Sequence, residues 1–203
     1  MEKYYPTLQY VVVDLTKEKW SVHILPPSIF SSYLGGNGLG LYLYDVHCGE
    51  KDENCEQSPL VFTTGLFTQF RMIDKDSLTI TGQSTHSNMV RSATASTTFA
   101  SHLISCGFCG LILIGSARRP MVLDIAAQDI IFTPTEKLLN KRVSETVNLL
   151  NLTSSQASIV IGPGGENNVP FSSLVSDGKS LDREGFGAFL GAKRIKAIVI
   201  EKG

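Results

Sequence analysis

Residues 161–203 constrain the fold of this chain more than any other stretch, because they read as a strand, a Gly-rich turn, a basic loop, a GxG helix start and a closing strand. Glycines let backbone N–H groups approach a ligand closely, and the positive end of the helix that follows Gly185 and Gly187 favours negative charge. Lys179 and Arg183 stand just upstream and add two cations to the same place. The same glycines also suit a plain structural role, a tight turn that packs a helix against a sheet.

Residues 33–43 carry a second copy of the device. Gly36-Asn37-Gly38-Leu39-Gly40-Leu41-Tyr42-Leu43 aligns with Arg183-Glu184-Gly185-Phe186-Gly187-Ala188-Phe189-Leu190, each a GxG opening a short apolar helix. Residues 60–65 and 159–164 likewise read as a strand ending in a Gly turn, so the chain is expected to hold an internal pseudo-two-fold repeat. Two anion-receiving helix starts predict one ligand with two phosphate-bearing halves, held with Arg183 in a shared hollow.

The remaining pattern is mainly extended. Alternation predicts strands at 10–14 and 20–24, then 60–64, 78–81, 111–114, 121–126, 129–133, 158–161 and 197–200. Helices are expected over 36–46, over 97–105, and over 136–151, where Leu139, Val143, Val147 and Leu150 share one face. The Ser/Thr-rich region 81–101 reads as a solvated loop. The result is an α+β class with no regular βαβ alternation. A length of 203 residues with an ordinary apolar fraction predicts one domain over 1–203.

A formal net charge of −1 with no basic stripe disfavours nucleic acid and anionic membranes as partners. No apolar run is long enough to span a bilayer and the first residues show no signal pattern, so a cytoplasmic location is expected. Four histidines, His23, His47, His86 and His102, lack HxxH or HExxH spacing, and no GxSxG elbow accompanies the serines, so no catalytic residues and no mononuclear metal ligands are assigned. Of the four cysteines, Cys106 and Cys109 have knuckle spacing, with Cys48 and Cys55 too far apart for a second knuckle. A small zinc or redox module needs all four sulfurs to converge; the other reading is four reduced thiols.

Taken in order, the pair of strands around residues 11–25, the GGxGLG opening, the strand-turn at 60–68, the segment 105–125, the GPGGEN turn and the GFGAFLGAKRIKAI ending resemble the N-terminal domain of the aldehyde ferredoxin oxidoreductase family along essentially the whole chain. That resemblance implies a floor of two β-sheets with a few covering helices beneath a tungsten or molybdenum bis-pyranopterin, with Mg2+ bridging its phosphates. Gly36, Asn37, Gly38, Gly40, Lys179, Ser180, Arg183, Gly185 and Gly187 are the cofactor-binding candidates it supplies. Ser77 stands where the family pattern has an Arg. Asn88 preserves a Ser-Asn pair, whereas spacing to Gly107 favours Thr94 at the family's Asn position, with no glycines after it. Lys179 occupies a position usually held by Arg, a point charge in place of a planar fork.

In that family the iron–sulfur cysteines lie in later helical domains, so the chain alone is expected not to turn over an aldehyde. Two roles follow from the resemblance. One is a pterin-binding subunit that completes its site with a separate chain carrying the helical domains, and indirectly with a ferredoxin-type electron carrier. The other is a degenerate paralogue that keeps the scaffold without the cofactor and acts as a structural or regulatory partner. Either predicts an apolar face that needs a lid, from a partner chain or by homodimerisation.

Overall fold

A computed structural model of the chain describes residues 8–48, 58–69, 76–85, 87 and 89–203. The first half opens with a hairpin, β1 (Gln9–Asp14) and β2 (Lys19–Ile24), followed by α1 (Pro27–Tyr33) and α2 (Gly36–His47). Then come β3 (Leu60–Thr64), α3 (Leu66–Gln69), β4 (Ser77–Gln83), β5 (Val90–Ser96), α4 (Thr98–Ser105) and β6 (Gly110–Ile114). The second half starts with β7 (Met121–Ile125), β8 (Ile130–Pro134), α5 (Val143–Leu150) and β9 (Gln156–Val160). It ends with α6 (Pro163–Glu166), β10 (Val175–Ser176), β11 (Lys179–Ser180), α7 (Phe186–Ala192) and β12 (Ile195–Glu201).

The two halves form two mixed sheets of the same topology. The first has the order β2-β1-β6-β3-β4-β5 and the second β11-β10-β9-β12-β7-β8, which is the first order with six added to each strand number and read backwards. In each sheet one pairing is parallel, β1 with β6 and β7 with β12, and the others are antiparallel. The expected α+β class, two-sheet architecture and internal repeat are therefore present.

The repeat pairs different helices from those that the glycines suggested. β3 and β9 do correspond, as the strand-turn match implies. But α2 lies between β2 and β3, so its counterpart is α5, between β8 and β9; α7 precedes β12, so its counterpart is α4, which precedes β6. The GxG similarity is local and does not follow the symmetry.

Side-chain alternation builds three apolar layers. Val11, Val13, Leu111 and Leu113 of the first sheet meet Leu123, Ile159, Ile198 and Ile200 of the second in one central core, which also takes in Phe99 and Leu103 of α4 and Phe186, Phe189 and Leu190 of α7. The outer face of the first sheet, with Tyr10, Val12, Val61 and Ile112, is covered by Leu39 and Leu43 of α2. The outer face of the second, with Val122, Val160 and Val199, is covered by Leu138 and the α5 residues Val143 and Leu150. Helix α5 is shorter than the periodicity predicts: it starts at Val143, where the Arg142 N–H donates to Glu145 at 2.8 Å, and Val147 faces solvent.

The GPGGEN turn and the GFGAFLGAKRIKAI ending pack against each other. A Cβ at Gly191 of α7 would fall 1.9 Å from the Gly165 carbonyl oxygen, and one at Gly165 would fall 2.8 Å from that of Gly187, so the glycines of both motifs allow α6 and α7 to cross at backbone contact. Glu166, the acidic residue of GPGGEN, pairs with the buried Lys196 of the ending, whose ammonium also donates to the Lys141 carbonyl at 2.9 Å. Glu166 in turn accepts the Asn140 N–H at 2.7 Å. This pair clasps the turn before α5 to α6 and β12.

Candidate functional site

Helix α2 lies against a ladder of hydroxyls. Ser77, Thr79 and Thr81 of β4 stand opposite Ser96, Thr94 and Ser92 of β5. Thr79 and Thr94 hydroxyls are 2.9 Å apart, and those of Thr81 and Ser92 2.8 Å. Thr63 donates to the Gly36 carbonyl at 2.9 Å, and a Cβ at Gly40 would sit 2.5 Å from the Thr81 hydroxyl. Gly36 and Gly40, one turn apart, thus let the helix lie directly on the threonines. The structure brings Gly36, Gly40, Ser77 and Thr94 to this one face; Asn37 is exposed, and Gly38 is close to the Tyr33 carbonyl. Thr94 is a strand residue whose hydroxyl is already paired, and the Ser77 N–H donates to the Thr68 hydroxyl at 2.8 Å. Asn88 lies outside the described residues.

The start of α7 is occupied from within the chain. Asp182, 5% exposed, accepts the N–H groups of Glu184, Gly185 and Phe186 on one carboxylate oxygen, each at 3.1 Å, and that of Leu174 on the other at 2.8 Å. The Gly187 N–H donates to the Ser172 carbonyl at 2.9 Å. Burial pushes the Asp182 carboxyl up, while the four N–H donors pull it the other way. Gly185 has φ +84°, and a Cβ there would come within 2.1 Å of the Pro170 carbonyl, so this position requires glycine for the local path. Gly187 is equally hemmed in, with Ser173 O 2.6 Å from its Cβ position. Lys179, Ser180 and Arg183, which precede α7 in the chain, are exposed. The Ser180 hydroxyl turns back to the Asp182 carbonyl at 2.9 Å.

Its symmetry counterpart α4 is closed in the same manner. Asp177, in the turn between β10 and β11, accepts the N–H and hydroxyl of Thr98 at 2.8 Å each, and Thr97 caps Phe99 N at 3.1 Å. Both helices of the central layer therefore have an aspartate of this chain against their positive ends.

The predicted convergence of the two GxG starts is not found. On β4, Thr79 and Thr81 point to the outer face and carry α2, while Leu78, Ile80 and Gly82 point inward, Gly82 against Phe186 of α7. The helices lie on opposite faces of the first sheet, and strict side-chain alternation along β4 is the reason. A two-phosphate ligand gripped by both starts with Arg183 does not fit. A phosphate at α7 alone meets amides that Asp182 and Ser172 already satisfy.

The cysteines also diverge. Cys106 belongs to the central core and donates to the Glu201 carbonyl at 3.0 Å, whereas Cys109 belongs to the outer layer under α2. Burial raises the Cys106 thiol and pushes Cys109 up to about 12. Among the described residues no group of three or more His, Cys, Asp or Glu is placed to hold a metal ion, and no helix is long and apolar enough to cross a membrane. Cys55 lies outside the described residues.

Sequence reasoning passed over Asp182 and Asp177. Asp182 precedes the N-cap Gly185 by three residues, outside the N-cap position where an aspartate is a recognised signal, and so gave no sequence cue.

Fold and site together define an α+β domain of two mixed six-stranded sheets, with the starts of its two inner helices capped internally. The sequence matches the family described as aldehyde ferredoxin oxidoreductase, N-terminal domain, over residues 10–202, and the chain belongs to that family. It is 28% identical to an aliphatic sulfonate oxidoreductase, WOR-like subunit, of Pyrococcus furiosus, across 92% of this chain and 33% of that protein. It is 26% identical to a tungsten-containing aldehyde ferredoxin oxidoreductase of Thermococcus kodakarensis, across 95% of this chain and 33% of the relative. Among solved structures, the active site complex BamBC of benzoyl coenzyme A reductase superposes with a TM-score of 0.89 at 25% identity, covering 98% of this chain and 31% of that one. The chain thus spans about a third of the length of these relatives.

Proposed function

We propose that this chain, folded as one domain over 1–203, is a structural or regulatory partner of an aldehyde ferredoxin oxidoreductase-type enzyme, and that it keeps the floor scaffold without holding the pterin. The observation that carries this reading is the Asp182 carboxylate, which occupies the Glu184, Gly185 and Phe186 N–H groups at the start of α7 and also takes the Leu174 N–H. A phosphate would have to displace a buried carboxylate, and a displaced Asp182 would stand as a second negative charge beside it. Ser77 in place of a cationic clamp and the hydroxyl-paired Thr94 point the same way.

The partner is an oxidoreductase chain in the cytoplasm. Apolar side chains left open on the cover of the first sheet, Leu41 and Val46 of α2 and Phe67 of α3, give it a surface to dock on. No chemical step is assigned to this chain itself.

A second reading is favoured by one observation: Lys179 and Arg183 remain exposed beside α7. In it the chain is a pterin-binding floor subunit, with tungsten or molybdenum and Mg2+ at its surface, and the partner supplies the helical domains, the iron–sulfur cluster and the route to a ferredoxin-type carrier. Purification of the tagged chain from its native host, with mass-spectrometric identification of what comes with it, separates the two. A co-purifying oxidoreductase with its own N-terminal floor domain supports the first reading. One that lacks that domain overturns it in favour of the second.

A further inference from the structure

The buried Lys196–Glu166 pair lines a cavity of about 230 Å³ whose other walls are mainly apolar and include Leu139, Ile161 and Ile195. Both Glu166 oxygens are already engaged, one by Lys196 and the other by the Asn140 N–H at 2.7 Å. Lys196 is 1% exposed, and its ammonium donates to Glu166 and, at 2.9 Å, to the Lys141 carbonyl. Its third hydrogen has no acceptor among the described residues. Buried donors are rarely left in that state. Arg194 is on the same lining, is exposed, and has an unusual backbone. Its φ is +58°, just past the Lys193 cap of α7, in a position where helices favour glycine. Its guanidinium donates to the Arg118 carbonyl at 2.7 Å, and no carboxylate lies within ion-pair distance among the described residues. An arginine kept where glycine would be less strained, with its charge unpaired beside a largely apolar cavity, points to a ligand.

We propose that this cavity binds a small monocarboxylic acid with a short apolar tail, through Arg194 and Lys196. Two cations against the single carboxylate of Glu166 leave one positive charge on the lining, which a monocarboxylate balances. Its oxygens accept from the free N–H groups of Arg194, whose planar fork suits a carboxylate, and from the third hydrogen of Lys196. Glu166 is no obstacle, because its charge is held against Lys196 and its oxygens are committed to other donors. The tail lies along Leu139, Ile161 and Ile195, where removal of its methylenes from water adds to affinity. Volume limits its length. At about 30 Å³ per water-sized group, a cavity of about 230 Å³ admits about seven or eight non-hydrogen atoms, a size that pentanoate matches. The cavity is built where α6 crosses α7 and meets the start of β12, away from the glycine-rich helix starts, so it is independent of whether the chain holds a pterin.

The test is a titration of the full 15N-labelled chain, at constant ionic strength and near neutral pH, with pentanoate, pentanamide and acetate, followed by calorimetry and by amide shifts. The expected result is saturable pentanoate binding with shifts centred on Gly191, Arg194 and Lys196. Pentanamide should bind about tenfold more weakly, because the charge-assisted bonds become neutral ones, and acetate at least about tenfold more weakly, because it lacks the tail. Arg194→Gly relieves the left-handed backbone and should leave the chain folded while it lowers pentanoate affinity to that of pentanamide. Arg194→Gln, which keeps the reach without the charge, should give the same loss. Leu139→Trp fills the cavity and should remove binding of both ligands, and a melting curve for each variant shows that it is folded. A purely structural Arg194, whose charge only favours the C-terminus of α7, would instead give a lower melting temperature with pentanoate affinity unchanged. That result overturns the proposal. So do pentanoate binding that does not saturate, equal affinity for pentanoate and pentanamide, shifts centred away from the cavity, or full binding in folded Leu139→Trp.

Discussion

Replacement of Asp182 by Ala removes the acceptor for four N–H groups at once. The loss of the cap on α7 costs about 0.5–2 kcal/mol. Leu174 is fully buried, and its N–H, left without a partner, adds about 1–3 kcal/mol. A total of about 3 kcal/mol lies in the middle of the summed range. For a chain of this length each kcal/mol moves the melting midpoint by about 2–4 °C, so the variant should melt about 6–12 °C lower. Asp182→Asn should fall between, because its single carbonyl oxygen can still take the α7 amides while its NH2 faces the Leu174 N–H. Differential scanning calorimetry on the three proteins checks the order. Both variants melting within about 2 °C of the parent would refute the claim that Asp182 closes this helix start.

Further outcomes follow from the same geometry. Cys106 and Cys109 should resist alkylation by iodoacetamide in the native chain at neutral pH and react once it is unfolded, because burial holds both thiols protonated, Cys109 with a value of about 12; peptide mapping showing native labelling of either would contradict this. Burial first, and then the neighbouring His23, depress the His47 imidazole below 6.5. The unfolded chain therefore takes up its proton first, so the stability His47 contributes is complete above its unfolded value and is lost as the pH falls through the folded one. Thermal melts at about pH 7.5 and 5.5 should show a larger drop in the parent than in His47→Phe, and equal drops would remove the linkage. Gly191→Ala would place a Cβ 1.9 Å from the Gly165 carbonyl, a backbone atom that cannot turn aside, and should cost about 1–3 kcal/mol or more in urea unfolding; a neutral effect would mean that α6 and α7 are not in backbone contact.

Most of the sheet was legible because its strands alternate strongly: Val11 and Val13 against Tyr10 and Val12, or Ile198 and Ile200 against Ala197 and Val199. Strand β5 was not. Its sequence, VRSATAS, is small and polar, it is an edge strand bonded only to β4, and its side chains are half exposed, so composition reads it as loop. That error hid the pairing that fixes Thr94. The over-long helix before α5 has a similar cause, since Leu138 is buried from a turn and not from a helical face. At the candidate site the glycines were visible, but glycine marks close approach without saying of what. Gly40 meets a threonine hydroxyl, Gly191 the Gly165 carbonyl, and Gly35 the Thr64 carbonyl. Which of these held could be seen only once β4 assigned α2 and α7 to opposite faces.

The central claim is tested most directly by pterin and metal analysis of this chain after it has been isolated from its native host and separated from any partner under non-denaturing conditions. Oxidation of a bound pterin to its fluorescent form, together with elemental analysis, should detect no stoichiometric pterin, tungsten or molybdenum on the separated chain. Pterin with either metal at about one per chain, retained by the parent and lost in Arg183→Ala, would contradict the account.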